Sequence, residues 1–149
     1  MAVINLKNTV PGPKSQEIIE RRYKATVSGM ALLTPVVIAE AKGALIKDID
    51  GNILLDFAGG IGALAIGHCP DNVMDAMKNQ SEKLIHTCPL VATYEPFVEV
   101  VERLNEIAPG DAPKKSALMN SGAEAVETAV KIARSYTGRS AIIVLCLSG

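Results

Sequence analysis

Residues 115–147 limit the possible folds more than any other stretch of the chain. A short apolar run at 115–119 leads into a Ser121-Gly122 turn, a helical pattern over 122–136 and a second apolar run at 140–147. Strand, helix and strand within about 30 residues make a βαβ unit, and such a unit implies a parallel sheet. The expected class is therefore α/β.

The helix of this unit is locally consistent. Ser121 and Glu124 stand at the S-x-x-E spacing of a capping box, in which two orphan backbone donors are covered reciprocally. Ala125, Val126, Ala129, Val130, Ile132 and Ala133 fall on one broad face, while Glu127 and Lys131 make an i,i+4 pair on the other. Gly138 stands where a helix-ending glycine belongs.

A capping turn of this kind more often starts a structural helix than binds a ligand. Two features weigh the other way. The turn lies at the carboxyl end of an expected parallel strand, where open α/β sheets place their ligands. Gly122 also lets an anion approach the backbone without a Cβ in the way. Neither GxGxxG nor GxxxxGK[ST] is present, so the spacing leaves a structural cap and a phosphate site both open.

Upstream, residues 1–14 carry a Pro-Gly-Pro run and read as an extended arm. A first helix is expected from Ser15, as its N-cap, to near Gly29. Three β-like runs follow at 36–41, 44–48 and 52–57, with Asp50-Gly51 as a hairpin signal, and they imply a small antiparallel meander. The glycine-dense stretch 58–62 and then Gly67-His68 mark a loop whose backbone comes close to something. Helices are expected from Asp71 and over 95–108, the latter ended by Pro109-Gly110. The spacing divides the chain into 1–69, comprising arm, helix and meander, and 70–149, the start of a larger α/β domain.

Composition narrows the function classes. The 149 residues are 48% hydrophobic, enough for a core, and a complete domain of that size buries about 68–70% of its unfolded surface. Lys and Arg number 15 against 16 Asp and Glu, a net charge of -1 that gives no general attraction to nucleic acid or anionic membrane. Aromatic content is 3% with no Trp, which disfavours base stacking. Cys69, Cys88 and Cys146 form no CxxC pair, the N-terminus has no basic head before an apolar run, and 141–147 is too short to span a bilayer. A cytoplasmic setting is expected.

The run from Asn120 to Arg134 closely resembles the phosphate-binding segment of the class III aminotransferases, pyridoxal-phosphate enzymes of fold type I. The likeness extends over about 17–144. Asp56-Phe-Ala-Gly-Gly-Ile61 with Gly67-His68 looks like the family's segment near the substrate, and Ile85-His-Thr-Cys88 and Tyr94-Glu-Pro96 are similar to the 4-aminobutyrate aminotransferase branch. The resemblance implies the N-terminal part of a fold type I enzyme: a small-domain meander and the first βαβ unit of a mostly parallel large domain. It implies pyridoxal 5'-phosphate as cofactor, an ω-amine and a 2-oxo acid as substrates, and a homodimer in the full-length family. Ser121, Gly122 and Ala123 would hold the cofactor phosphate, Ala123 through its backbone N–H alone, and Ile61 would line the substrate pocket.

The chain departs from the family in two places. Pro89-Leu90 follows the Thr-Cys pair where some 4-aminobutyrate enzymes carry a polar residue. Leu145-Cys-Leu-Ser-Gly149 stands where relatives have an aromatic-His-Gly turn. The family's cofactor-anchoring lysine and the carboxylate at the pyridinium nitrogen would lie beyond Gly149, so the chain by itself is expected to be inactive. The alternatives are a non-catalytic interaction module, docking on a relative or aggregating, and a phosphate-metabolite binding module.

His68, Cys69, His86 and Cys88 have a spacing that matches no usual zinc pattern, and no metal is expected. His68 reads as a hydrogen-bonding residue of the Gly-rich loop, with Cys69 and Cys88 as small core residues.

Overall fold

An antiparallel meander, β1 (Ile38–Lys42), β2 (Leu45–Asp48) and β3 (Ile53–Leu55), forms within two residues of the expected runs. The register pairs Ala41 with Ile46 across the first turn and Ile46 with Leu54 across the second. The structure, a computed structural model, describes residues 4–144 and divides into two compact units, Met1–Ile85 and His86–Gly149.

The first unit is organised around polar atoms of the turn between β2 and β3. Asn52 is fully buried and Asp48 is 1% exposed. Asn52 donates from its amide N–H and its Nδ2 to the two carboxylate oxygens of Asp48, each at 2.7 Å. Its Oδ1 accepts the amides of Lys7 and Asn8 at 2.7 and 2.8 Å, and Asn5 pairs with Ile53 through two backbone bonds. The extended arm is thus fastened to the meander by backbone donors that a buried side-chain amide satisfies.

Helix α1 (Pro13–Ala25) starts earlier than expected. Gly12, not Ser15, is the N-cap, and Ser15 lies buried inside the first turn. The reason is a cap from 35 residues away: Asp50 Oδ2 accepts the Ser15 amide at 2.9 Å and the Ser15 hydroxyl at 2.6 Å, while Oδ1 accepts the Lys14 amide at 3.0 Å. Pro13 needs no such partner, which suits it to the first helical position. A Cβ on Gly12 would fall 2.4 Å from Asp50 Cγ, so glycine is what lets the carboxylate reach the helix. The helix ends at Ala25, before Gly29.

Helix α2 (Asp71–Ser81) closes the described elements of the first unit. The second unit holds α3 (Glu95–Ile107) and α4 (Gly122–Thr137), both placed by the sequence within one residue. Segments 115–119 and 140–144, expected to be strands beside α4, carry no strand ladder among the described residues; 145–147 lie outside them. The crossover helix is present, but the two flanking segments are not paired with each other or with any other described strand.

Ile46 is the one buried hydrophobic residue among those described, and α2, α3 and α4 bury none. The expected helix faces exist as patterns but lie open. Cys69 and Cys88, expected in a core, are exposed. Cys69 follows the loop with φ +46° and Cys88 begins a turn, bonding through its carbonyl to Val91 and Ala92, so neither faces a packed layer. No helix among the described residues is long and apolar enough to cross a membrane.

Candidate functional site

The turn before α4 is built as its sequence implies. Ser121 is extended (φ -147°, ψ 160°), and its hydroxyl accepts the Glu124 amide at 3.2 Å. The Glu124 carboxylate folds back to accept the amides of Ser121 at 3.1 Å and Asn120 at 2.8 Å. The Ser121 carbonyl accepts the Ala125 amide, the first bond of the helix proper. At the other end Gly138 takes the left-handed conformation (φ +68°), and its amide returns to Arg134.

Two donors are left over. Among the described residues the amides of Gly122 and Ala123 have no acceptor, and beyond its chain neighbours and its own helix backbone no atom lies within 4 Å of where a Cβ on Gly122 would stand. Both amides belong to the first turn, where helix N–H groups point outward along the axis with about half a positive charge behind them. The arrangement fits a phosphate: two free donors, no steric cover, and a hydroxyl whose own proton is still available. Glu124 opposes it in part, because its carboxylate places negative charge in the same turn.

Ile61 belongs to the first unit, where the Gly-rich loop is held at both ends. Asp56 Oδ1 accepts the amides of Ala58 at 2.9 Å and Gly59 at 3.0 Å, while Oδ2 meets His68 Nε2 at 2.7 Å. His68 also exchanges two backbone bonds with Gly43. Gly67 is required at that closure, since its φ is +79° and a Cβ would fall 2.9 Å from the Gly43 carbonyl oxygen. Between the clamps the backbone runs through four consecutive positive φ values, and Ile61 is one of them at +56°. For a β-branched residue that is a strained conformation. It holds the Ile61 side chain 90% exposed.

The Asp56 carboxyl sits below its ordinary range, first because His68 bonds to it and then because the Gly59 and Ala58 amides do; partial burial opposes them. The sequence flagged His68 as a loop hydrogen-bonder, and it is one. The role of Asp56 has a local signal as well, since an Asp two and three residues before loop amides marks an Asx-turn.

Four lysines are held by partners of their own. Lys131 is paired with Glu127 at 2.8 Å on the polar face of α4, Lys47 with Glu40 at 3.1 Å, and Lys42 with Asp71 and the Cys69 carbonyl. Lys114 is bonded to the Gly110 carbonyl.

The family profile described as aminotransferase class-III matches residues 27–146, four-fifths of the sequence, and takes in both the Gly-rich loop and the cradle before α4. The chain belongs to the class III aminotransferases. It is 49% identical over 138 residues to the 4-aminobutyrate aminotransferase of Mycobacterium tuberculosis, covering 93% of this chain and 31% of that one. It is 43% identical over 129 residues to the 5-aminovalerate aminotransferase of Pseudomonas putida, covering 87% and 30%. The crystal structure of acetylornithine aminotransferase from Elizabethkingia anophelis superposes with a TM-score of 0.72 at 32% identity, over 83% of this chain and 31% of that one. This class III chain therefore spans about a third of the length of its relatives. The class is pyridoxal-phosphate dependent, and its fold joins helices to a mainly parallel sheet, of which the chain carries a part.

Proposed function

We propose that this chain is the N-terminal third of an aminotransferase that moves an amino group from an ω-amine such as 4-aminobutyrate to a 2-oxo acid, and that its part is to hold the cofactor phosphate. Residues 1–69 belong to the small domain and 70–149 open the cofactor domain of a cytoplasmic homodimer. When bound, pyridoxal phosphate supplies the electron sink that lets a substrate carbon lose a proton.

The chain's own residues bind and orient. The amides of Gly122 and Ala123 donate to phosphate oxygens, and the Ser121 hydroxyl can add a third donor while its oxygen keeps the cap on Glu124. Ile61 offers an apolar wall to the carbon chain of the amine. No lysine here stands in the sequence context of the family's cofactor-anchoring lysine, and Lys131 is committed to Glu127. By itself the chain is inactive.

The observation that carries this reading is the pair of free amides at Gly122 and Ala123. Gly122→Pro tests it cleanly. Proline suits the first helical position, and Ser121 already has the extended backbone that a following proline demands, so the helix stays while one donor is lost. Equilibrium dialysis should show binding of pyridoxal phosphate but not of pyridoxal, weakened at least threefold in the variant. Unchanged affinity in the variant overturns the cradle, and equal affinity for inorganic phosphate makes the chain a general phosphate binder. Incubation with cofactor, 4-aminobutyrate and 2-oxoglutarate should yield no glutamate above blank.

A further inference from the structure

Asp50-Gly51 is the one Asp-Gly step in the sequence, and no Asn-Gly step accompanies it. An aspartyl residue before glycine is a chemically weak point, because no Cβ shields the glycine nitrogen and its backbone turns freely against the aspartyl Cγ. Here every group that must move is already held. Asp50 Oδ1 accepts the Lys14 amide and Oδ2 accepts the amide and hydroxyl of Ser15, so the carboxylate is turned into the start of α1. Its main-chain carbonyl accepts Asn8 Nδ2 at 2.8 Å, and the Gly51 amide donates to the Asp48 carbonyl at 3.0 Å. Burial raises the Asp50 pKa, but the Ser15 and Lys14 contacts outweigh it and keep the carboxyl below its ordinary value. An ionised carboxylate resists attack, since it has no hydroxyl to lose as water.

We propose that Asp50-Gly51 is a site of spontaneous conversion to isoaspartate, held shut by its cap on α1 and opened when that helix detaches. The Gly51 nitrogen gives up its proton and bonds to Asp50 Cγ, while the hydroxyl of the neutral carboxyl leaves as water. Water then adds to the cyclic succinimide. Where it adds at the former main-chain carbonyl, the bond from that carbon to the Gly51 nitrogen breaks and the chain continues through Cβ and Cγ. The water lost is regained, so the product keeps the parent composition and needs no oxidant, reductant or enzyme. Its new carboxylate stands directly on Cα, a carbon shorter than the side chain that now reaches Ser15 and Lys14, and the turn gains a backbone atom. The cap is not restored, and each conversion is a lasting record that α1 came away. Local opening sets the rate, because the closed cap keeps Cγ from the Gly51 nitrogen. The site is independent of the phosphate cradle.

The test ages the purified chain at neutral pH beside a synthetic peptide of residues 46–55. Isoaspartate at Asp50 is read by electron-transfer fragmentation, which cleaves the Cα–Cβ bond of an isoaspartyl residue. The folded chain should convert at least tenfold more slowly than the peptide. Gly12→Ala should raise the rate in the chain at least fivefold, because its Cβ would fall 2.4 Å from Asp50 Cγ and push the carboxylate off the helix. Ser15→Ala removes one donor of three and should raise it less. Converted chain, once separated, should lose hydrogen-exchange protection at the Lys14 and Ser15 amides. A folded chain that converts as fast as the peptide, a Gly12→Ala rate equal to the parent's, full protection at Lys14 and Ser15 after conversion, or no isoaspartate in the peptide would each overturn the proposal. The comparison of parent chain with peptide needs no variant, so it decides the matter even where a substitution unfolds the first unit.

Discussion

His68 Nε2 lies 2.7 Å from Asp56 Oδ2, with the two side chains only 18% and 12% exposed. An ionised carboxylate only accepts, so Nε2 carries the proton and the imidazole donates. This one bond joins the start of the Gly-rich loop to its end and fixes the span on which Ile61 is presented.

Removing the imidazole should free the loop before it harms the meander. In His68→Ala, the amides of Ala58 and Gly59 should exchange with solvent at least tenfold faster, while those of Ile46 and Lys47 in the sheet change little. His68→Asn, whose amide still donates, should recover part of the protection. Equal loosening of loop and sheet would show that the pair supports the whole unit and has no particular hold on Ile61.

The carboxylates of Asp50 and Asp56 should set the acid limit of the first unit. Burial pushes Asp50 up, but the Ser15 hydroxyl, the Ser15 and Lys14 amides and the Lys14 charge together hold it below its ordinary value of 3.8. Asp56 is also lowered, chiefly by His68. A carboxyl lowered in the folded state stabilises fully above its unfolded value; as pH falls through the folded value, the unfolded chain has already taken up the proton and that stability is lost. Melting followed by circular dichroism should therefore be flat from pH 6 to about 5 and fall below about 4. Asp50→Asn should be less stable at pH 6 and show a shallower acid slope, and an unchanged slope would count against this origin.

Asn52 should be the most sensitive polar position in the meander. Asn52→Leu leaves the amides of Lys7 and Asn8 and the Oδ2 oxygen of Asp48 without their partner in a buried setting, while Asp48 Oδ1 keeps the backbone amide of residue 52. The loss should be about 1–3 kcal/mol, and the arm should become the first site of proteolysis. An arm as protected as in the parent chain would mean that the bonds of Asn5 to Ile53 suffice to hold it.

Glu124 holds α4 together and repels an anion at the same turn. Glu124→Gln keeps an acceptor for the Asn120 or Ser121 amide but removes the charge. Helix content should fall slightly, while the dissociation constant for pyridoxal phosphate should drop two- to fivefold, matching about 0.3–1 kcal/mol of charge at a helix end. Weaker cofactor binding would mean that the carboxylate serves the cradle by ordering it.

Much of this was legible in the residues because its causes are local. Ser121, Glu124 and Gly138 carry the start and stop of α4 within a few positions, and alternating apolar residues with Asp50-Gly51 mark the meander. What stayed hidden depends on distant partners. Nothing near Ser15 reveals that Asp50 caps its helix, so by sequence the nearest serine reads as the N-cap. Asp56 gained its role only when His68 was brought beside it. The runs at 115–119 and 140–144 have strand composition, but a ladder is a property of two segments and no described neighbour supplies the second.

The reach of Asp50 across to Ser15 also governs how this region can be recombined. Residues 12, 15 and 50 are one joint written in two places, with the glycine, the buried hydroxyl and the carboxylate each fitted to the others. A chimera that takes α1 from one aminotransferase and the meander from another splits that joint, however smoothly the backbones overlay. Crossover points should fall after Leu55 or before Gly12, so that helix and hairpin travel as a single cassette.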